Sequence, residues 1–291
     1  MLEHKIETGS LPSISVQIPT RNSSRFIRSC LESVISQKYP KVELVIIDTD
    51  SSDNTVEVAK SYGANVISSH SSLLASRIEG IRYTSSDAIL LLDSDQELIS
   101  NSLFEISKEL AKHDILFLEE LSSDRIRPTK LQKLYEFDRI VSYRTRDNTD
   151  PESGVVLPRV FRTEVLKKAI DNIPVELSLK IQYPDHAIIY FEACKFSDNT
   201  SHVRSALQHH ENTSFLSLIK KHLKYGIDAA NVFQYANYKS LILLKAKPRK
   251  LPISSDLFKY WVYSQLLLVL KAIPYEIGFF TESRRIRRRN E

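Results

Sequence analysis

The feature that most constrains the fold of this chain is the alternation of two hydrophobic periods over its first hundred residues. Short runs rich in Val, Ile and Leu predict β-strands at residues 14–18, 42–47, 64–67 and 88–92. Between them, apolar residues spaced three and four apart predict helices at residues 23–36, 53–63 and 71–83. Strands that alternate with helices pair in parallel through right-handed crossovers. The pattern predicts an α/β protein with a Rossmann-like, mostly parallel sheet flanked by helices.

Beyond residue 101 the pattern is less regular. We expect helices at 103–113 and 163–170, strands at 115–119 and 155–161, and polar loops at 122–128 and 144–152. Residues 187–193 suit a helix or a strand. A helix at 214–238 should turn Phe215, Leu216 and Ile219 inward and its lysines outward.

Composition places the chain among ordinary globular proteins. Its 291 residues are 42% hydrophobic, enough for one large domain or two small ones. Cys30 and Cys194 lie far apart, so we expect a reducing compartment and no disulfide framework. No secretory leader is expected, and no uncharged apolar run reaches 18 residues. These features predict a cytoplasmic protein.

Positive charge is concentrated at the C-terminal end. From residue 239 onward there are 12 Lys and Arg against 4 Asp and Glu, which leaves the rest of the chain acidic. This distribution disfavours a nucleic-acid partner, whose site normally lies across the folded domain. The apolar run at 260–270 is too short to cross a bilayer as a helix, Pro274 should interrupt it, and five arginines follow between 284 and 289. We expect residues 227–291 to be a helical region that docks peripherally on the inner face of the cell membrane. The alternative is that its helices pack on the rest of the protein.

Acidic residues follow two predicted strands at the points where a ligand of such a sheet binds. Asp48 comes after the second strand, and Asp93 and Asp95 come after the fourth. Neighbouring parallel strands would bring these acids to one edge. Their repulsion there favours a divalent cation shared with a nucleotide diphosphate. The alternative is a solvated turn or a helix N-cap, where Asp and Ser are common.

Four segments in register resemble the family 2 glycosyltransferases of the GT-A fold. They are VQIPTRN at 16–22, IIDTDSSDNT at 46–55, ASRIEG at 75–80 and LLLDSD at 90–95. The resemblance implies a nucleotide-sugar-dependent enzyme. Its GT-A catalytic domain would span residues 1–226, with a nucleotide-binding half at 13–100 and an acceptor half at 101–226.

The resemblance also implies roles for individual donor-site residues. Pro19 and Thr20 would pack around the nucleotide base, and Asp48 would hydrogen-bond the ring edge. Arg77 would lie near the donor, where a guanidinium can serve the pyrophosphate or the base. In the final motif, Asp93 would lie near the ribose and Asp95 would ligate Mn²⁺ or Mg²⁺.

Three donor-site positions depart from the family pattern. Thr49 and Asp50 stand where an acid and a glycine are usual, and Ile78 replaces a common asparagine. These departures leave the choice between UDP and GDP open.

Later segments resemble the acceptor side of the family. GVVLPRVFR at 154–162 resembles its strand before the acceptor, and YPDH at 183–186 resembles its Glu-Asp motif. Asp185 would be the base for transfer with inversion; a helix N-cap is the alternative. QHHE at 208–211 resembles a His-containing segment of the family. The spacing of the histidines in this region does not suit a structural zinc site. We take His210 as the histidine near the metal, with His209 or a structural role as alternatives.

These features predict metal-dependent transfer of a sugar from a UDP- or GDP-sugar to a glycan or lipid-linked acceptor. The alternative is a non-catalytic partner that keeps the fold and binds sugar nucleotides or membrane, which Thr49, Ile78 and Pro184 favour. A nucleotidyltransferase is disfavoured because no glycine-rich phosphate loop follows the first strand.

Overall fold

One mixed sheet organises the computed structural model, which describes residues 11–122, 127–144, 150–152, 156–211, 214–243 and 255–291. The strands are β1 (Ile14–Thr20), β2 (Val42–Thr49), β3 (Asn65–Ser69), β4 (Ala88–Leu91), β5 (Gln96–Leu98), β6 (Ile115–Ser122), β7 (Val160–Arg162) and β8 (Thr200–His209). Their order in the sheet is β3-β2-β1-β4-β7-β6-β8-β5. β1 to β4 pair in parallel, as do β6 and β8, whereas β7 and β5 run antiparallel to their neighbours.

Helices flank this sheet and continue beyond it. They are α1 (Ile27–Ile35), α2 (Thr55–Ser61), α3 (Leu73–Tyr83), α4 (Ser102–Leu110), α5 (Lys130–Arg144), α6 (Thr163–Asp171), α7 (Val175–Ser178), α8 (Asp185–Ala193), α9 (Phe215–Val232), α10 (Lys239–Leu243) and α11 (Ser255–Asn290), with a 3₁₀ turn at Ala236–Tyr238.

Apolar strand residues fill a core on each face of the sheet. Leu90 of β4 packs in the core that α1 and α4 cover. Its neighbours Ile89 and Leu91 pack in the opposite core, which α3, α6 and α8 cover. A strand buried on both faces needs a continuous apolar run, and β4 has one. The predicted α/β fold class, with helices on both faces and a helical C-terminal region, is confirmed.

The predicted elements match best over the first hundred residues. The four predicted strands there correspond to β1–β4, and residues 187–193 are helical within α8. β5, β8, α5 and α7 were not predicted, and α9 ends at Val232 instead of residue 238. The predicted loops at 122–128 and 144–152 lie largely outside the described residues. So does part of the predicted strand at 155–161, whose described part is strand only from Val160.

The long helix α11 packs along α9 and α5. Gly226 and Gly278 lie at the α9–α11 crossing, where a Cβ on Gly226 would stand 1.9 Å from Tyr275 O and one on Gly278 would stand 2.1 Å from Leu223 O. On the α5 side, Ser264 Oγ donates to the buried carboxylate of Asp138 at 2.5 Å. One face of α11 therefore packs on the rest of the protein, as the alternative prediction had it.

Three predictions about this region have outcomes. The predicted interruption at Pro274 is wrong, because α11 continues through it with packing contacts to α9 on both sides. The inward orientation predicted for Phe215, Leu216 and Ile219 is also wrong, since all three are exposed while Leu218 is buried. Among the described helices, none is long and apolar enough to span a bilayer. The predicted domain boundary at residue 226 falls inside α9 and stays a prediction.

Candidate active site

Thr20 and Asp48 lie together at the ends of β1 and β2. The parallel register pairs these two residues, and Thr20 Oγ1 donates to Asp48 Oδ1 at 2.7 Å. The carboxylate also accepts from Ser51 N and Oγ, at 2.9 and 2.6 Å. Pro19, half-buried, precedes this corner. These hydrogen bonds fix the buried carboxylate of Asp48 at the edge where the sequence predicts the nucleotide base.

Arg77, on α3, also extends to this edge of the sheet. Gly80, one turn later, lets this helix approach the sheet closely, because a Cβ there would stand 2.8 Å from Gln17 Oε1 and from a methyl of Ile47. The Arg77 side chain is consequently only 1% exposed. A guanidinium so deeply buried must be paired with acids to offset the loss of its hydration.

Two predicted site acids provide that pairing. Arg77 Nε donates to Asp185 Oδ2 at 2.6 Å, and Arg77 Nη2 donates to Asp93 Oδ1. Asp185 is the first residue of α8, and it pairs with Arg77 across 108 positions in sequence. The structure thus brings Arg77, Asp93 and Asp185 into one cluster.

Asp93 is held by a second arginine as well. Arg159 Nη1 donates to Asp93 Oδ2 at 2.8 Å. The backbone of Arg159 is bonded to both neighbouring strands, through Leu91 N and Leu116 O, so its position is fixed. Burial would raise the pKa of Asp93, but the guanidinium groups of Arg159 and Arg77 outweigh it and hold the pKa well below its ordinary value. Asp93 is therefore a carboxylate engaged on both oxygens.

Asp95 lies beside a histidine. His209, the last residue of β8, has Nε2 3.4 Å from Asp95 Oδ2 and Nδ1 3.2 Å from Glu120 Oε2. Burial lowers the pKa of His209, as does Arg139, but Asp95 and Glu120 raise it to about 9. The Asp95 side chain is 36% exposed. Asp95 and His209 thus form an acid–imidazole pair that is open to solvent.

His210 faces in a different direction. Its Nε2 lies 2.7 Å from Glu97 Oε1 and its ring stacks on Phe26, with centroids 5.0 Å apart. Its backbone N–H donates to Asp95 O at 2.9 Å. The sequence left the choice between the two histidines open, and the structure places His209, not the chosen His210, against the Asp95 carboxylate.

A second cluster of buried charges supports the first. Glu120 accepts from Arg159 Nη2 at 3.1 Å and from Arg139 Nη1. Arg139 Nε donates to Glu211 at 2.7 Å. Burial raises the pKa of Glu120, but Arg139 and Arg159 outweigh it and hold the pKa well below its ordinary value. The alternating acids and arginines connect Asp185 to Glu211 in one continuous network.

Sequence analysis assigned no role to Glu120, Arg139 or Glu211, although Glu211 stood inside the quoted segment at 208–211. Glu120 is positioned by an irregularity in the β6–β8 register next to it, which strand patterns do not reveal. Arg139 is on α5, which was not predicted. Arg159 stood inside a quoted family-like segment, and that segment was the available signal for it.

Comparison with known proteins finds a family match over the first part of the chain. The family model described as glycosyl transferase family 2 matches residues 15–118. The uncharacterized glycosyltransferase YibD of Escherichia coli K12 is 29% identical over 121 residues, which are 40% of this chain and 35% of that protein. The chain spans about a third of the length of the curated relatives it matches.

Solved structures resemble most of the chain. Staphylococcus aureus TarS 1-349 in complex with UDP-GlcNAc superposes with a TM-score of 0.53 at 15% identity, covering 95% of this chain and 92% of that one. The mannosyltransferase PcManGT of Pyrobaculum calidifontis, in complex with GDP-Man and Mn²⁺, gives 0.53 at 12% identity, covering 95% and 84%. Likeness at this identity establishes the fold. Residues 15–118 of this chain therefore match the glycosyl transferase family 2 model, and the sheet that carries them has the fold of the GT-A glycosyltransferase structures.

Proposed function

We propose that this chain transfers a sugar, with inversion, from a UDP- or GDP-sugar to an acceptor hydroxyl, assisted by Mn²⁺ or Mg²⁺. The observation that carries the proposal is the pair formed by Asp95 and His209. Both lie where nucleotide ligands of such sheets bind, beyond the carboxyl ends of parallel strands. In contrast, Asp48 is buried and hydrogen-bonded, and Asp93 is held by two arginines.

The two side chains fit a divalent cation that a diphosphate helps to hold. A carboxylate with a neutral imidazole suits Mn²⁺, whereas Mg²⁺ prefers oxygen ligands throughout. Because Asp95 and Glu120 raise the pKa of His209 to about 9, its imidazolium would lose a proton when the cation binds. Within the described ranges, no group of three or more His, Cys, Asp or Glu side chains could hold an ion by itself. Such a site would leave positions for diphosphate oxygens and water. A cation bound at Asp95 and His209 would neutralise charge on the leaving diphosphate.

The protein groups around the pair divide the remaining work. Asp48, with Thr20, would accept hydrogen bonds from the edge of the base. Arg77 Nη1 is buried and has no hydrogen-bond partner among the described residues. Since a buried donor without a partner is costly, we assign it to the donor nucleotide. Its other nitrogens hold Asp93 and Asp185 in place.

Asp185 is the proposed base. As the acceptor oxygen bonds to the anomeric carbon, its proton would pass to the Asp185 carboxylate and the bond to the diphosphate would break on the opposite face. Arg77 contributes orientation, because it grips Oδ2 of Asp185 at 2.6 Å.

We further propose a glycan or lipid-linked acceptor that is met at the inner face of the cell membrane. The concentration of arginines at the end of α11 supports this location. The donor bound to the TarS structure, UDP-GlcNAc, and that bound to the mannosyltransferase, GDP-Man, support a nucleotide sugar.

Thermal-shift titration with UDP, GDP, CDP and dTDP, with and without Mn²⁺, tests the donor site. A nucleotide that binds the folded state alone raises the melting temperature. We expect UDP or GDP to do so only with Mn²⁺, and Asp95→Ala to abolish the shift while the free protein still melts in a cooperative transition. Asp171→Ala, which removes a carboxylate that is 72% exposed on α6, is the matched control. Equal shifts without metal, or in Asp95→Ala, would contradict the proposal. Binding without any transfer would favour the non-catalytic alternative.

A further inference from the structure

An apolar stripe runs along the side of α11 that faces away from the rest of the protein. Its members are 44–58% exposed: Phe258, Val262, Leu266, Val269, Ile273, Ile277 and Phe280. Successive members are four, four, three, four, four and three residues apart, which keeps them on one side of a helix. The buried residues Ser264, Leu267 and Gly278 lie on the other side.

This arrangement differs from that of an ordinary packed surface helix, because α11 carries apolar residues on its packed side and on its exposed side. Such a helix turns apolar residues inward and polar residues outward. α11 packs through a face that includes a serine and a glycine, and it exposes a continuous row of large apolar side chains. Contiguous exposed apolar surface of this kind marks an interaction site.

The length and the charge of the stripe identify its partner. From Phe258 to Phe280 the stripe extends for about 33 Å at 1.5 Å per residue. Lys259 lies beside its first residue, and the exposed arginines at 284, 285, 287, 288 and 289 follow its last one. An apolar row on one side of a helix that ends in a cationic cluster matches a surface with an apolar interior and anionic headgroups.

A second copy of the chain matches this surface less well. Parallel pairing of two stripes would bring the two arginine clusters together. Antiparallel pairing would place each cluster near the start of the partner helix, where Asp256 is accompanied by Lys259. Arg285 pairs with Glu282 within the helix at 3.6 Å, and neither arrangement supplies an acid for each of the other four arginines.

We propose that the outward face of α11 binds an anionic phospholipid bilayer, with the helix lying in the plane of the interface. The apolar stripe enters the boundary between headgroups and acyl chains. Arg284, Arg287 and Arg288, which continue the same side of the helix, contact the headgroups. The inference rests on the proposed function for the identity of the acceptor, which such docking would bring within reach. The binding itself needs no nucleotide.

Flotation of the full chain with phosphatidylcholine vesicles, with and without phosphatidylglycerol, tests the proposal. We expect binding to the anionic vesicles at low salt and weaker binding at high salt. Leu266→Glu combined with Ile273→Glu should lower the bound fraction at least tenfold, because it places two negative charges in the stripe. Both positions are exposed, so the change leaves the core intact. Ile35→Glu combined with Phe196→Glu places the same charges at exposed apolar positions elsewhere and should bind like the wild type.

Several outcomes would overturn the proposal. They are no binding by the wild type to anionic vesicles at low salt, unaltered binding by the stripe variant, or a wild-type dimer that the stripe variant converts to a monomer. Nucleotide-induced thermal shifts, measured on the same variants, should stay unchanged. The two assays therefore test the two proposals separately: vesicle binding tests the α11 surface, and the nucleotide-induced thermal shift tests the donor site.

Discussion

The guanidinium of Arg77 joins the strand-end acid Asp93 to the candidate base Asp185. Each carboxylate is held in one orientation. The burial of Arg77 and Asp185 and the partial burial of Asp93 are tolerated because opposite charges are paired. The same contact explains why the N-cap interpretation of Asp185 is insufficient. Its side chain reaches across to α3, and the structure shows no side-chain cap at the start of α8.

Asp185→Asn tests the base directly. Because the amide keeps the shape of the side chain and loses its basicity, we expect kcat to fall by roughly 10²-fold or more. The affinity for the donor nucleotide should change little. Steady-state rates and nucleotide titration on the same preparation measure the two effects.

Glu192→Gln is the matched control for this change. Glu192 is a buried acid on the same helix, but it pairs with Lys195 at 2.7 Å. We expect nearly unchanged turnover in this variant. The assignment fails if Glu192→Gln removes activity while Asp185→Asn retains it.

The candidate site was predictable where it depends on strand ends. Asp48, Asp93 and Asp95 follow apolar runs, and the parallel-sheet rule brings such residues to one edge. The partners of these acids were not predictable in the same way. Arg139 and Glu211 pair across 72 positions, and a contact of that range leaves no periodic signal in either segment.

At the scale of elements, the α9–α11 crossing depends on the absence of two side chains. Gly226→Ala places a methyl group 1.9 Å from Tyr275 O, so the backbones must separate. Overpacking of this kind costs about 1–3 kcal/mol. Urea unfolding should show the loss as a lower midpoint.

Lys224→Ala serves as the comparison for Gly226→Ala. Lys224 is exposed on the same helix, and alanine is a good helix former, so its midpoint should stay close to that of the wild type. Equal midpoints for Gly226→Ala and the wild type would show that the two helices are not in close contact.

His222 makes the same interface sensitive to pH. Burial lowers its pKa to about 4, and Lys271 and Lys221 contribute in the same direction. The folded protein therefore holds the imidazole neutral, whereas the unfolded chain protonates it near pH 6.5. The contribution of neutral His222 to the free energy of unfolding is fully present above pH 6.5. It is lost as the pH falls to about 4, and the loss is at most about 3 kcal/mol.

Substitution separates this contribution from other acid effects. His222→Gln should lose less unfolding free energy than the wild type between pH 7 and pH 4. His70→Gln, at a position 80% exposed, should follow the wild type. Parallel pH profiles for the wild type and His222→Gln would disprove the assignment.

The elements that sequence patterns missed share a physical cause. β5 has only three residues and is defined by its pairing with β8, so its sequence contains no apolar run long enough to predict a strand. Phe215, Leu216 and Ile219 have the spacing expected of a buried face and are nevertheless exposed. Periodicity identifies which residues share a side of a helix, but tertiary contacts decide which side is buried.

For the whole molecule, the part of the sheet that sequence patterns predict ends near residue 118. The family model ends there, after the stretch that contains β1 to β4, which pair in parallel with one another. Beyond it, β7 inserts between β4 and β6, and β8 returns to pair with both β6 and β5. Such pairings depend on chain crossings that composition and periodicity do not encode.

The close crossing at Gly226 and Gly278 and the bond from Ser264 to Asp138 fix α11 to the rest of the protein. If α11 lies on a bilayer, the height of Asp95 and Asp185 above the headgroups is then a constant of the fold. A molecule attached to that bilayer would be modified where its chain first attains this height. On the proposed function, acceptors would then be selected by how far they extend from the bilayer, and an acceptor too short to reach Asp185 would not be modified.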